Sequence, residues 1–466
     1  MKVLFVSSEV VPFAKTGGLA DVAGSLPLAL EKLGLEVKIV MPKYKMVKAA
    51  GNKTVIGKSL EVLFIENEKY FGRDQLYGDR FGDYPDNLER FSYFSKACLE
   101  LIKKINYKPD IIHCNDWQSS LIPVYLKTIY KDDPFFYNVK TVLTIHNLSY
   151  QGLFDKSQFP QTGLGWDLFS VNGLEFYNKV NVLKGGIVFS DLISTVSPAY
   201  SKEIQTKEFG YGLEGVLQGR SCDLYGILNG IDYDIWNPGT DRHIAKNYDA
   251  NSAEDKLANK EDLQKISGLK ADKNSPLIGI ISRLADQKGF DLIAAIIDKL
   301  LKSKAQIIIL GTGEDKYHVL LEKIAKLYPK KASINLKFDA VLAQKIYAGS
   351  DMFLMPSRFE PCGLGQLIAL RYGTIPVVRL TGGLRDTIRE FDTATKQGNG
   401  FTFSEYSDSE LYAAINRAFG LYKNKPLWKE LVKTAMGYDF SWESSAKEYA
   451  GLYRQLVSSQ ARCGVR

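Results

Sequence analysis

One stretch of the sequence, MFLMPSRFEPCGLGQLIALRYGTIPVVRLTGGLRD, constrains the fold more than any other. Its apolar runs and turn residues predict a strand over 352–356, a helix over 364–372, a strand over 374–378 and a further helix that opens at Thr381-Gly382-Gly383. Parallel strands that are joined through a helix place their exit loops on one edge of a sheet. Glu360 and the Thr-Gly-Gly turn are therefore expected side by side at an edge where ligands bind.

These two loops carry complementary chemistry. A glycine turn at a helix start offers backbone N–H groups and the positive end of the helix dipole, which suits a phosphate, whereas a carboxylate suits vicinal hydroxyls. A phosphate site beside a polyol site indicates a sugar nucleotide. The alternative is that Gly382 and Gly383 only make a tight turn and that Glu360 caps a helix, and a glycine motif alone does not decide between the two.

The length of the chain predicts two domains, because 466 residues exceed what one hydrophobic core usually serves. The segment 241–274 is polar and rich in Lys, Asp, Asn and Ala, so we place the junction there and expect domains over 1–243 and 244–437. A last helix over 442–456 has apolar residues at nearly helical spacing. We expect the segment 438–466, with a frayed tail from residue 459, to cross back onto the first domain.

Composition argues against several classes of partner. The 60 basic side chains exceed the 53 acidic ones slightly and form no block, so the net charge of +7 indicates a solvated surface rather than nucleic-acid binding. No run of about 18 apolar residues predicts a membrane span. Five scattered cysteines without CxxC spacing indicate reduced thiols in the cytoplasm, with no zinc and no disulfide framework. They are Cys98, Cys114, Cys222, Cys362 and Cys463.

The amino-terminal segment repeats the glycine turn. A strand over 3–6 is followed by Glu9, by Lys15-Thr16-Gly17-Gly18-Leu19-Ala20-Asp21, by a helix over 20–33 and by a strand over 37–41. This βαβ unit contains neither GxGxxG nor GxxxxGKS, so neither a dinucleotide fold nor a P-loop is supported. Because Thr-Gly-Gly-Leu occurs here and again at Thr381, two half-molecules could grip one pyrophosphate from both sides.

Charged and polar residues follow four further predicted strands. Arg283 and Lys288 follow a strand over 277–281 and would neutralise two phosphates opposite Lys15, with surface solvation as the alternative. Asp116 and His146 follow strands over 111–114 and 141–145, where open α/β sheets bind ligands. The alternatives are that Asp116 is a helix N-cap and that His146 is a neutral residue shaping its loop. A further glycine turn at 311–313 follows a strand over 305–310, and a short strand is expected over 334–338.

These clusters, in this order, resemble the family of bacterial glycogen synthases and plant starch synthases. The matching motifs are Lys15-Thr-Gly-Gly-Leu, Asn115-Asp-Trp, Thr144-Ile-His-Asn, Leu228-Asn-Gly-Ile-Asp, Ser282-Arg-Leu with Gln287-Lys-Gly, Pro356-Ser-Arg-Phe-Glu-Pro-Cys-Gly-Leu and Thr381-Gly-Gly-Leu. The resemblance implies an α/β fold of GT-B type, with two Rossmann-like domains facing across a cleft. The first domain would serve the acceptor and the second the nucleotide sugar.

The resemblance also implies the reaction, which is transfer of glucose from ADP-glucose to the nonreducing end of an α-1,4-glucan with retention of configuration. UDP-glucose stays open as the donor, because the base contacts cannot be read from the sequence. Ile368 stands where the wider class of such transferases has a second glutamate, a departure that the synthase subgroup shares. The candidate catalytic residues are His146, Arg283, Lys288, Glu360 and Asp116. The candidate substrate-binding residues are Lys15, Gly17, Gly18, Glu9, Asp21, Asn229, Gly313, Cys362, Gly363, Leu364, Thr381, Gly382, Gly383 and, against the adenine, Phe338.

With no obvious nucleophile near the site, we expect front-face attack, in which the cations and glycine amides stabilise the charge that develops on the pyrophosphate. No metal or other cofactor is expected. Two alternatives come from other classes. One is a sugar-nucleotide epimerase of similar two-domain fold, and the other is a noncatalytic glucan-binding protein.

Overall fold

The computed structural model describes residues 1–458, so the predicted tail and Cys463 lie outside the described residues. The chain divides into two units, one of Met1–Gly230 together with the segment from Trp442, and one of Ile231–Ser441. The division comes earlier than the predicted boundary after residue 243. The reason is that the segment from Ile231 already bonds within the second unit: its N–H donates to Phe440 O over 2.8 Å.

The first unit is built on an eight-stranded sheet. Neighbouring strands are parallel except for the edge pair Lys53–Ile56 and Leu60–Ile65, which is antiparallel. In spatial order the strands are Leu224–Gly226, Leu192–Thr195, Lys140–Ile145, Ile111–Asn115, Lys2–Val6, Glu36–Pro42, Leu60–Ile65 and Lys53–Ile56. The helices are Gly18–Lys32, Glu68–Phe71, Asn87–Lys104, Asp116–Ser119, Leu121–Lys127, Val182–Phe189, Pro198–Glu203, Glu214–Gly219 and Trp442–Ser458. Small antiparallel sheets combine Leu153–Asp155 with Glu175–Phe176 and Lys179–Asn181, and Gly78–Asp79 with Gly82–Asp83.

The last helix, Trp442–Ser458, is tied to the central sheet of the first unit. The hydroxyl of Tyr453 lies 2.6 Å from Nδ1 of His113, a fully buried side chain on the strand Ile111–Asn115. The other ring nitrogen of His113 lies 2.6 Å from the hydroxyl of Thr144 on the next strand. Ser445 donates to Leu228 O over 2.6 Å. The helix therefore completes the polar bonding of a buried histidine.

The second unit is built on a six-stranded sheet that is parallel throughout. Its central strands read LIGII, QIIIL and MFLM and are almost entirely buried, as expected when helices cover both faces. In spatial order the strands are Ala332–Asn335, Gln306–Leu310, Leu277–Ile281, Met352–Met355, Ile375–Arg379 and Phe401–Phe403. The helices are Lys256–Ile266, Phe290–Lys302, Asp315–Leu327, Ala340–Gly349, Gly365–Arg371, Gly382–Thr387, Asp408–Lys423 and Lys425–Met436.

The predicted α/β class is confirmed, and most of the predicted strands lie within two residues of their observed bounds. One strand is wrong: the edge strand expected over 334–338 runs over Ala332–Asn335, so Phe338 lies in the loop beyond it. The strands at 53–65 and the helix Asn87–Lys104 were not predicted from the sequence. Among the described helices, none combines the length and the apolar character needed to cross a membrane.

Candidate active site

In the second unit, Glu360 and Lys288 form a largely buried ion pair. Lys288 ends a turn that follows the strand Leu277–Ile281, and Glu360 follows the strand Met352–Met355. The ammonium lies 2.6 Å from Oε2 of Glu360, whose side chain is 7% exposed against 19% for Lys288. The Ser357 hydroxyl donates to the same oxygen over 3.0 Å. Two neighbouring strand exits thus place opposite charges in contact.

The Thr-Gly-Gly turn packs directly against the Glu360 loop, as the strand order predicts. The N–H of Gly383 is shared between the carbonyl oxygens of Glu360 and Pro361, each at 3.1 Å. Gly382 has a φ of +46°, and a Cβ at this position would collide with Glu360 O. In this conformation the Gly383 amide is used within the protein. It is therefore not the bare phosphate donor that the sequence suggested.

The loop before the helix Gly365–Arg371 is shaped by a buried glutamine that sequence reasoning missed. The side-chain amide of Gln366 donates over 3.0 Å to the carbonyl oxygens of both Cys362 and Gly363. Gly363 has a φ of +74°, and Leu364 is the residue that caps the helix. Cys362 is buried. Gln366 thus fixes the backbone of the predicted Cys-Gly-Leu contact segment.

Arg283 lies in an exposed position on the loop that ends at Lys288. Its guanidinium donates to the side chain of Gln287 over 3.3 Å. Two hydrogen bonds join this loop to the next glycine turn: Leu284 N–H donates to Thr312 O over 3.0 Å, and Glu314 N–H donates to Leu284 O over 2.8 Å. Gly313 fits against Leu284 O because it has no side chain. The turn at Gly313 therefore supports the loop that carries both cations.

Phe338, the predicted adenine contact, lies in the loop that follows the strand Ala332–Asn335. Its ring is 86% exposed. The neighbouring side chains Lys337 and Asp339 form an ion pair of 2.8 Å. An exposed aromatic face beyond a strand exit can stack on a planar base, so the position is compatible with the predicted contact.

In the first unit, Glu9 binds the protein's own backbone. Its buried carboxylate accepts hydrogen bonds from the Thr16 hydroxyl at 2.6 Å, from the Tyr77 hydroxyl at 2.8 Å and from the Gly17 N–H at 3.3 Å. The Thr16 N–H also donates to it. This geometry corrects the expected roles of Glu9 and Gly17, because a carboxylate of the chain already occupies the turn. Tyr77, which sequence reasoning missed, completes the brace.

Lys15 remains a surface cation of the same loop. Its ammonium lies 2.7 Å from Oδ1 of Asp21, and its side chain is about half exposed at 47%. The helix Gly18–Lys32 begins at Gly18, with Gly17 as its N-cap in an extended conformation. Asp21 in the first turn is favourably placed against the helix dipole. Lys15 and Asp21 therefore form a solvent-facing pair, and an anionic ligand can compete with Asp21 for the lysine.

Asp116 and His146 lie together at two neighbouring strand exits. Oδ1 of Asp116 accepts from the His146 N–H over 2.7 Å, and Asp116 itself has a φ of +53°. Burial raises the pKa of Asp116 to about 7, partly opposed by hydrogen bonds from the backbone N–H groups of His146 and Asn147. Burial lowers the pKa of His146 to about 3, so its ring is neutral at physiological pH. Asp116 is thus a brace for the backbone of the His146 loop.

The ring of His146 is held by a second residue, Asn115. Its Nε2 lies 2.9 Å from Oδ1 of Asn115, whose side chain is fully buried. Only the position of Asn115 beside Asp116 in the Asn-Asp-Trp motif pointed to it in the sequence.

Asn229 has a buried side chain in the loop after the strand Leu224–Gly226. Within the described part of the chain its Oδ1 is buried and has no hydrogen-bond partner. A buried amide oxygen without a donor costs about 1–3 kcal/mol. The substrate-binding role of Asn229 stays a prediction.

Comparisons with known proteins agree along the whole chain. The family model "Starch synthase catalytic domain" matches residues 2–219, and the model "Glycosyl transferases group 1" matches residues 261–434. Glycogen synthases from Thermotoga petrophila and Geotalea daltonii are 49% and 50% identical, each over 99% of this chain and 100% of its own length.

Solved structures give the same result. The catalytic domain of starch synthase IV from Arabidopsis thaliana, bound to ADP and acarbose, is 37% identical with a TM-score of 0.89. The match covers 98% of this chain and 99% of that one. Sucrose-phosphate synthase from Thermosynechococcus elongatus is 17% identical with a TM-score of 0.66, a likeness of fold alone, over 98% of this chain and 100% of that one. The predicted GT-B fold is confirmed, and the chain belongs to the glycogen synthase and starch synthase family of retaining glycosyltransferases.

Proposed function

We propose that this protein transfers glucose from ADP-glucose to the nonreducing end of an α-1,4-glucan, with retention of the anomeric configuration. The observation that carries the proposal is the buried Lys288–Glu360 pair at two strand exits, with the Thr-Gly-Gly turn packed against Glu360. The ADP and acarbose bound to the Arabidopsis relative support an adenine nucleotide as leaving group and a glucan as acceptor here.

In the second unit, Glu360 accepts hydrogen bonds from glucose hydroxyls, while Arg283 and Lys288 neutralise the diphosphate. The acceptor hydroxyl attacks the anomeric carbon on the face that the nucleotide leaves. The bond from that carbon to the phosphate oxygen breaks, and the departing oxygen takes the hydroxyl proton. Each charge-assisted contact contributes about 1.5–3 kcal/mol, or roughly 10- to 150-fold in rate when it is expressed in the transition state.

In the first unit, Lys15 adds a cation for the diphosphate and the neutral His146 ring supports the sugar near the reacting carbon. The half-exposed Lys15 is free to exchange Asp21 for a stronger anion at little cost, because exposed ion pairs contribute only about 0.2–1 kcal/mol. Loss of Lys15 and loss of Arg283 should each raise the KM for the donor.

The test is incorporation of labelled glucose into glycogen from ADP-glucose and from UDP-glucose, with the released nucleotide measured in the same reaction. Glu360→Gln keeps the shape and removes the charge, so we expect a fall in kcat/KM of at least 10-fold. The exposed Glu322→Gln on the helix Asp315–Leu327 is the matched control and should be unchanged. Transfer that survives Glu360→Gln within a factor of about two would remove Glu360 from this role.

The same reaction separates the other classes. Interconversion of the donor sugar without growth of glycogen would indicate an epimerase, and absence of nucleotide release would indicate a glucan-binding protein. A faster reaction with UDP-glucose than with ADP-glucose would correct the donor. We further propose a cytoplasmic location. It is supported by Cys98, Cys114 and Cys222, none of which forms a disulfide within the described part of the chain.

A further inference from the structure

The side chain of Asn115 can have only one orientation. Its Nδ2 lies 2.9 Å from Val6 O and 3.5 Å from His113 O. Both neighbours are backbone carbonyl oxygens, which can only accept hydrogen bonds, so the atom that faces them must be the NH2 group. The amide oxygen of Asn115 therefore faces His146, at 2.9 Å from Nε2.

That orientation fixes the proton on the histidine. An amide oxygen only accepts, so Nε2 of His146 must carry the hydrogen of this bond. Because burial keeps the ring neutral, the ring has a single N–H, and Nδ1 is left with a lone pair. We propose that Asn115 is a positioning residue that holds His146 as the Nε2–H tautomer, so that Nδ1 accepts a hydrogen bond from a hydroxyl of the transferred sugar.

The arrangement is rigid because two adjacent residues hold the two parts of His146. Asp116 holds the backbone N–H, and Asn115 holds the ring. Asn115 is itself fixed as the last residue of the strand Ile111–Asn115, where it is paired in register with Thr144. A ring that accepts selects for hydroxyls and against carbonyl or phosphate oxygens, which only accept. The tautomer therefore contributes sugar specificity.

The sugar contact rests on the proposed function, but the tautomer does not. Two titratable groups lie near this ring: the Asp116 carboxyl, which accepts from the backbone N–H of His146, and the buried His113, whose pKa burial lowers to about 3 and which interacts with His146 by its charge. Glu9 acts on Asp116 by its charge. His113 engages Tyr453 and Thr144 through its two nitrogens, so it does not compete for Asn115.

The direct test is 15N NMR of histidine-labelled protein at pH 7.5. The chain has only four histidines, and the signals of His146 are those lost in His146→Gln. We expect a protonated Nε2 and an unprotonated Nδ1 in the wild type. A protonated Nδ1, or an averaged mixture of tautomers, overturns the inference whatever the activity.

The functional test is the pH profile of kcat/KM for glucosyl transfer. Asn115→Asp places a carboxylate on the Nε2–H and favours the imidazolium, whose Nδ1 donates instead of accepting. We expect the acidic limb to move up by at least one pH unit, whereas the exposed Asn274→Asp should leave the profile unchanged. Asn115→Leu should lower kcat/KM at least 10-fold with both tautomers populated.

The outcomes of the two tests are separable. Suppose that the wild type has the Nε2–H tautomer and that Asn115→Asp folds. If the pH profile of kcat/KM is then unshifted, the positioning role of Asn115 is overturned. Unchanged transfer by His146→Gln refutes the sugar contact assigned under the proposed function. In that case the NMR experiment still decides independently which tautomer His146 has.

Discussion

Replacing Lys288 with Met should destabilise the second unit strongly, because among the described residues it leaves the buried Glu360 carboxylate with the Ser357 hydroxyl alone on its Oε2. At the observed 2.6 Å, Coulomb attraction is about 6 kcal/mol for an effective dielectric constant of about 20. The cost of desolvating both ions offsets part of this attraction. Removing one partner of a buried pair typically costs about 3–5 kcal/mol, and we expect Lys288→Met to fall in this range.

The assay is urea unfolding combined with calorimetry, because two units need not unfold in one transition. Lys302→Met is the matched control: Lys302 pairs with Asp298 over 2.6 Å, but the two side chains are 70% and 50% exposed. Its loss should leave the stability nearly unchanged, because solvent screens an exposed ion pair. The double variant Lys288→Met with Glu360→Gln should recover most of the lost stability, since no unpaired charge is buried, while glucosyl transfer stays low.

A destabilisation of Lys288→Met by less than about 1 kcal/mol, well under the range for a buried pair, would refute this prediction. A double variant that is no more stable than Lys288→Met alone would refute it as well. Either result would mean that water reaches the carboxylate. Any loss of activity in Lys288→Met would then be attributed to the lost contact between Lys288 and the substrate, and not to lost stability.

Two further predictions concern backbone and protonation. Gly382→Ala places a Cβ against Glu360 O at a φ of +46° and should cost more than about 1 kcal/mol of stability in thermal melts. The control Gly420→Ala, on an open helix face, should instead stabilise the protein by about 0.5–1 kcal/mol, and equal effects of the two variants would contradict this prediction. Burial raises the pKa of Asp116 from 3.8 to about 7, so the stability it contributes is full below pH 4 and is lost as pH rises through 7. The loss is up to about 4 kcal/mol, and Asp116→Asn should be free of it. A difference between wild type and Asp116→Asn that does not change between pH 4.5 and 8 in urea titrations would refute the shift.

What the sequence could predict followed from the order of strands. Parallel strands put Glu360 beside the Thr-Gly-Gly turn, and the structure has this contact. The ion pair of Lys288 with Glu360 was not predicted. The apolar runs LIGII and QIIIL located the central strands of the second unit. These inferences needed only the periodicity of side chains and the rule that exit loops share an edge.

What the sequence could not predict depended on side-chain contacts between distant residues. Glu9 accepts from the Gly17 N–H and from the Tyr77 hydroxyl. The second bond requires the loop of Tyr77, 68 residues later in the chain, to fold back against Glu9. Gln366 folds back onto its own helix start, a contact that no spacing rule distinguishes from a solvent-facing glutamine. For Phe338 the strand boundary was shifted, because a short edge strand with mixed residues has weak periodicity.

The last helix has a consequence for biosynthesis. His113 is translated early, yet the hydroxyl that satisfies its Nδ1 belongs to Tyr453, 340 positions later. All of Ile231–Ser441 leaves the ribosome in between. Until the second unit has been synthesised, His113 therefore lacks its Tyr453 partner, and the amino-terminal unit cannot complete its native hydrogen bonds. The amino-terminal unit thus reaches its final structure only after the last helix has been made, and not before the second unit is synthesised.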